Sequence, residues 1–213
     1  MTKKSVLKMF CAVALVLICA SAFVSCTPKT NENGESEPTG ISGTPRVAVT
    51  MENGGSFVIE LYPEFAPKTV ENFMKLVKEG FYDGLTFHRV IDGFMAQGGD
   101  PNGNGSGGSD EKIFGEFSRN GFVQNTLSHT RGVVSMARSP ESFDSASSQF
   151  FICYTDECSS LDGQYAAFGK VVEGMDTVDA FLNYERAIGM DGNMSSPVEP
   201  IVIKDAKVVT DAD

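Results

Sequence analysis

A closed antiparallel β-barrel capped by two α-helices is the fold class that residues 46–213 predict. Three observations point there. Short runs that are apolar, or that alternate apolar with polar, recur along the whole segment. Gly-rich turns rather than helices separate most of them, which argues against a parallel sheet of βαβ units. Only two stretches carry helical periodicity. Many short strands leave edges that must be dealt with, and closure removes them. The segment is one domain by length and large enough for a single core.

In chain order, residues 46–51 read as a strand. Glu52, Asn53, Gly54 and Gly55 make a turn, and the alternation over 56–61 pairs back as a hairpin. Pro67 opens a helix, because its missing N–H costs nothing at the first helical position. Val70, Phe73, Met74 and Val77 form the apolar stripe of that helix, and Gly80 stops it. Short strands follow over 86–91, 94–97, 132–136, 150–153 and 167–172. A second helix spans 175–184, and 201–209 closes as the last alternating strand. Within 86–91, a period of two puts Phe87, Arg89 and Ile91 on one face and His88 and Val90 on the other.

The ends are of a different kind. Lys3, Lys4 and Lys8 precede an almost wholly apolar run over 9–24, too short for a comfortable membrane span, which reads as an export signal over residues 1–25. Phe23, Val24, Ser25 and Cys26 resemble a bacterial lipobox, with Cys26 the lipidated residue. Phe stands where Leu is usual. Thr27 after the cysteine favours the outer membrane. Residues 26–45 then form a flexible tether too rich in Asn, Glu, Gly, Ser, Thr and Pro to bury a core. The chain is therefore expected to be exported and lipid-anchored to the cell envelope.

Removing the three lysines of the leader from 17 basic residues leaves 14 against 28 acidic ones, a formal charge near −14. That argues against nucleic acid or an anionic lipid surface as the partner. Cys11 and Cys19 leave with the signal, so Cys153 and Cys158 remain, and their setting reads as two unpaired thiols. No metal-ligand spacing is present, and no cofactor is expected.

Three motifs suggest other chemistry and lack the context for it. Asp100 to Glu111 fits the letter of an EF-hand loop, but a strand precedes it where a helix is needed. Gly103, Gly105 and Gly108 spell GxGxxG, with no amphipathic helix behind them to meet a phosphate. A Ser-His-Asp triad is conceivable, without the elbow motif of the α/β hydrolases. His88 reads as a hydrogen-bonded core histidine and His129 as a structural one.

Taken singly, Phe94, Met95, Phe151 and Leu161 read as core, and Arg89 as a structural ion pair. Together they read differently. Residues 87–99, 129–132, 135–137, 148–153 and 161–170, in that order and spacing, resemble the cyclophilins, the peptidyl-prolyl cis-trans isomerases, over nearly all of 47–209. The resemblance implies an eight-stranded antiparallel barrel with two capping helices and an outer groove for an X-Pro peptide. It implies that Arg89 is the catalytic arginine, and that Phe94, Met95, Phe151 and Leu161 hold the proline ring. Gln97 and Gln149 would hold the peptide, and Ala137 and Arg138 would lie along its backbone. Tyr165 stands where many members have His, Arg138 where Asn is common, Asp92 where many have Pro, and Ser160 where some have Trp. These departures bear on peptide preference and on cyclosporin binding, and leave the arginine and the pocket intact. Proline-containing polypeptides are the implied partners and a monomer the implied state. The function implied is isomerisation of X-Pro bonds during folding of exported proteins. A Pro-peptide binding module without turnover is the alternative.

Overall fold

The computed structural model describes residues 44–209. The expected signal, Cys26 and most of the tether lie outside the described residues. Eight strands form one antiparallel sheet: β1 (Arg46–Met51), β2 (Ser56–Leu61), β3 (Thr86–Ile91), β4 (Met95–Asp100), β5 (Val133–Met136), β6 (Phe150–Cys153), β7 (Ala167–Glu173) and β10 (Ile203–Val209). Their order across the sheet is β10-β1-β2-β7-β5-β6-β4-β3. The sheet is curled. Its two outer strands approach through a Thr86–Val202 bridge, with Phe87 N–H donating to Ile201 O at 2.9 Å and Ile203 N–H to Leu85 O at 2.8 Å.

The helix α1 (Pro67–Lys78) begins with Pro at its first position and has no side-chain cap of its own. Glu116, 1% exposed, supplies one from elsewhere. Its carboxylate accepts from Lys68 N–H at 3.0 Å and from Thr69 N–H at 2.8 Å, so it satisfies orphan donors and meets the positive helix end. The other end closes on Gly80, at φ +69°. Gly80 N–H donates to Val77 O and Phe81 N–H to Leu76 O, the paired closure that a left-handed glycine permits. The expected stripe of Val70, Phe73, Met74 and Val77 is buried.

The concave side of the sheet is filled largely by rings. Phe57, Phe73, Phe87, Phe150, Phe168, Phe181 and Tyr82 are each under 2% exposed. Phe73 meets Tyr82, Phe150 and Phe168 at centroid separations of 5.2, 5.6 and 5.1 Å, in the tilted and edge-on geometries that aromatic quadrupoles favour. Gly99 lets β4 close on the loop ahead of β6. At φ +80°, a Cβ there would stand 2.6 Å from Ser148 O, so any side chain would force the two apart.

Three expectations change. The helix expected over 175–184 is a five-residue α2 (Met175–Asp179) tightening into a 3-10 turn, Ala180–Asn183, as last turns often do. A hairpin of β8 (Arg186–Ile188) and β9 (Met194–Pro197) lies where no strand was expected, since its residues do not alternate. The face assignment in β3 is also corrected. Phe87 pairs with Gly98 but Arg89 pairs with Gln97, so His88 is an extra residue bulged out of the ladder. A bulge resets the alternation. Phe87 therefore joins Val90 in the core, while Arg89 and Ile91 share the outer face.

Candidate active site

That bulge places Arg89 beside a second apolar cluster, separate from the main core. Met95, Phe151, Cys153 and Cys158 are buried in it, and Ile91, Phe94, Ala137, Leu161 and Tyr165 pack against them half-buried. Six residues that the sequence marked for the site thus come together: Phe94, Met95, Ala137, Phe151, Leu161 and Tyr165. They come from the turn before β4 and its first residue, from β6, from the residue after β5, and from the 3-10 turn and loop ahead of β7. Phe151 and Tyr165 meet edge-on at 5.8 Å. Adjacent strand residues point to opposite faces, so Phe150 fills the core while Phe151 floors this cluster.

The polar members form a chain along one side. Arg89 Nη1 donates to Gln97 Oε1 at 3.3 Å and lies 3.8 Å from Met95 Sδ. Its guanidinium carbon is 6.0 Å from the centre of the Phe94 ring. Gln97 Nε2 donates to Gln149 Oε1 at 2.8 Å. Gln149 Nε2 reaches Gly105 O and Gly107 O at 3.1 and 2.7 Å, which ties the site to the glycine-rich loop. Arg138 differs from the others. Its Nε donates to Gln164 O at 3.0 Å, and it lies over Tyr165 at 4.7 Å and Phe143 at 4.9 Å. That side chain is held by a backbone carbonyl and by the rings beside it. Arg89 also donates through Nε to Asp191 Oδ2 at 2.7 Å. Asp191 was not singled out in the sequence. It lies 102 residues away on the β8–β9 loop, and no motif or spacing marks it.

Beneath Phe151 lies a relay that runs inward from Asp162, whose side chain is 40% exposed. His129 Nδ1–H donates to Asp162 Oδ1 at 2.8 Å, and Ser135 Oγ–H donates to His129 Nε2 at 2.9 Å. The carboxylate can only accept, which fixes this tautomer. These are the members of a hydrolytic triad, yet His129 and Ser135 are 0% exposed and no substrate can reach them. The His129 ring stacks on Phe151 at 6.0 Å and 13°, so the relay supports the pocket floor. Burial pushes the His129 pKa down, partly opposed by Asp162. Burial likewise tends to raise Asp162, but donors from Ser128 and His129 outweigh it and hold the carboxyl below its usual range.

His88 corrects another expectation. Its ring nitrogens are buried without a hydrogen-bond partner among the described residues. Burial pushes its pKa down as well, against the pull of Asp100. These are the only two histidines in the chain, and the fold lowers the pKa of both. As pH falls through about 6.5 the unfolded chain takes up protons that the folded one refuses. Stability is therefore full above that pH and falls below it, by up to about 1.4 kcal/mol per pH unit for each histidine. The urea midpoint is expected to drop between pH 7.5 and 5.5, and an unchanged midpoint would contradict the assignment.

Cys153 and Cys158 are both unpaired and buried. Cys158 Sγ–H donates to Phe94 O at 3.1 Å, so the thiol pins the strand start that carries a pocket ring. Its hydrogen bond with Cys158, and burial, push the Cys153 thiol up.

The family model for cyclophilin type peptidyl-prolyl cis-trans isomerase/CLD matches residues 46–208. An isomerase-like 2 protein of Neurospora crassa is 43% identical over 164 residues, 76% of this chain and 26% of the relative. The chain spans only about a quarter of the length of that protein. Peptidyl-prolyl cis-trans isomerase B of Bacillus subtilis is 47% identical over 126 residues, 59% of this chain and 82% of the relative. Among solved structures, a Cryptosporidium parvum cyclophilin type isomerase in the presence of the dipeptide Ala-Pro aligns with a TM-score of 0.67 and 30% identity. That alignment covers 78% of this chain and 99% of the other.

Proposed function

The chain belongs to the cyclophilin-type peptidyl-prolyl cis-trans isomerase family, and we infer that it catalyses rotation about X-Pro bonds in exported polypeptides while tethered to the envelope through Cys26. The observation that carries the catalytic part is Arg89, held at the edge of an apolar cluster floored by Phe151. Rotation about a peptide bond has a barrier of about 18–20 kcal/mol because of C–N resonance. Even at X-Pro the uncatalysed exchange takes on the order of tens to hundreds of seconds. No nucleophile and no proton shuttle are required. The site must bind the twisted amide better than either planar form.

The residues suit that task. As the bond twists, the prolyl nitrogen regains its lone pair, and a guanidinium N–H aimed there stabilises it. Arg89 is our choice for that donor. Phe94, Met95, Phe151 and Leu161 grip the ring. Gln97 and Gln149, with the backbone at Ala137 and Arg138, hold the chain on either side so that only the preceding carbonyl swings. Tyr165 closes the wall beside Phe151. The Thr86–Val202 bridge and its neighbouring hydrogen bonds support reading the curled sheet as a closed barrel, whose rigidity would serve such a site. We take the working unit to be a monomer.

Catalysis is tested by refolding a protein whose slow phase is set by X-Pro isomerisation. Substoichiometric amounts of this chain should accelerate that phase, and an unaltered phase would contradict the reading. For the anchor, the chain produced in a bacterial host should partition into the detergent phase of a Triton X-114 extract. Cys26→Ser should move it to the aqueous phase. Equal partitioning of the two would remove the lipid from the account.

A further inference from the structure

We propose that Asp191 is a positioning residue for the isomerase site, holding the Arg89 guanidinium in the orientation that catalysis uses. The inference rests on the isomerase reading and adds to it a residue from outside the pocket motifs.

Arg89 has N–H groups on three nitrogens, and two of those nitrogens are engaged. Nε donates to Asp191 Oδ2 at 2.7 Å, and Nη1 to Gln97 Oε1 at 3.3 Å. Nη2 has no hydrogen-bond partner among the described residues. The guanidinium is planar, so fixing Nε and Nη1 fixes the direction of Nη2. One nitrogen with two hydrogens is thus left, already oriented, for a ligand.

Asp191 is itself held. Its Oδ1 accepts from Ser195 Oγ–H at 2.7 Å and from Asn193 N–H at 3.0 Å, which leaves Oδ2 for the arginine. Ser195 is 1% exposed, and the loop closes on itself through Gly189 N–H to Asn193 O at 2.8 Å. The carboxylate and guanidinium are both partly shielded, with side chains 21% and 28% exposed. Burial tends to raise the Asp191 carboxyl, but its donors Arg89, Ser195 and Asn193 outweigh that and keep it well below the usual range, so the anion is present at any working pH. A long, flexible arginine loses much rotamer freedom when it meets substrate. A partner that removes that freedom beforehand leaves more of the interaction for the twisted state.

The test uses the full chain, with Asp191→Ala and Asp191→Asn measured beside wild type on one X-Pro peptide. Asp191→Ala should lower kcat about tenfold with KM little changed. Asp191→Asn keeps an acceptor for Nε and should fall between, and it also serves if the alanine variant folds poorly. A role confined to loop integrity would not move Arg89 itself. The 15N-detected Nε–H resonance of Arg89 should therefore be resolved and slow to exchange in wild type, and should shift to the position of a free arginine in Asp191→Ala. Wild-type kcat in both variants, a raised kcat, or an unmoved Arg89 resonance would each overturn the proposal. If wild type itself shows no turnover, the isomerase reading fails and takes this proposal with it. Normal wild-type turnover beside unaffected variants would sink the proposal alone.

Discussion

Arg89→Ala is expected to reduce kcat/KM on an X-Pro peptide by about 100-fold or more, the usual cost of losing one preorganised donor to a transition state. The fold should survive. The side chain is 28% exposed and belongs to neither apolar cluster, and its partners Asp191 and Gln97 stay within reach of water. Near-UV circular dichroism should match wild type. Arg89→Lys should recover little, because an ammonium has no planar fork to keep one donor on the ligand while others hold Gln97 and Asp191. Turnover within a few-fold of wild type in Arg89→Ala would remove the arginine from the mechanism.

The second large effect concerns stability and separates two neighbouring phenylalanines. Phe150 is 1% exposed and meets Phe73 and Tyr82 at 5.6 Å and Phe87 at 5.7 Å. Phe150→Ala should cost about 3–5 kcal/mol, a large share of a total that is typically about 5–15 kcal/mol. Its folded fraction should still turn over peptide, since the removed ring faces the core. Phe151→Ala removes the pocket floor and the partner of the His129 stack, so KM should rise sharply. Urea denaturation and steady-state kinetics on both variants check this. A stable Phe150→Ala without activity would mean that the two faces had been assigned the wrong way round.

Much of this was legible in the chain because it is local. Pro67, a four-residue apolar stripe and Gly80 define a helix without reference to anything else, and the structure begins and ends α1 on those signals. The pocket residues lie in short linear stretches, so their resemblance to a family could be read directly, and the fold brings six of them into one cluster. What escaped is non-local. The His88 bulge depends on how β3 meets β4, and one extra residue reverses the faces that a period of two assigns. Glu116 caps a helix 47 and 48 residues away. Asp191 reaches Arg89 across 102 residues, from a hairpin whose composition gives no strand signal. The unpartnered His88 ring also ran against expectation. Nothing in an apolar strand pattern says whether a buried imidazole will find a donor or acceptor.

The central claim is turnover at the Arg89 site, and exchange NMR on an Ala-Pro-Phe type peptide tests it most directly. With a catalytic amount of the chain present, magnetisation should pass between the cis and trans proline signals on a timescale at which the free peptide shows none, and Arg89→Ala should abolish that exchange. Peptide signals that shift on binding while cis and trans remain unexchanged would contradict the account and make the chain a binder of proline segments.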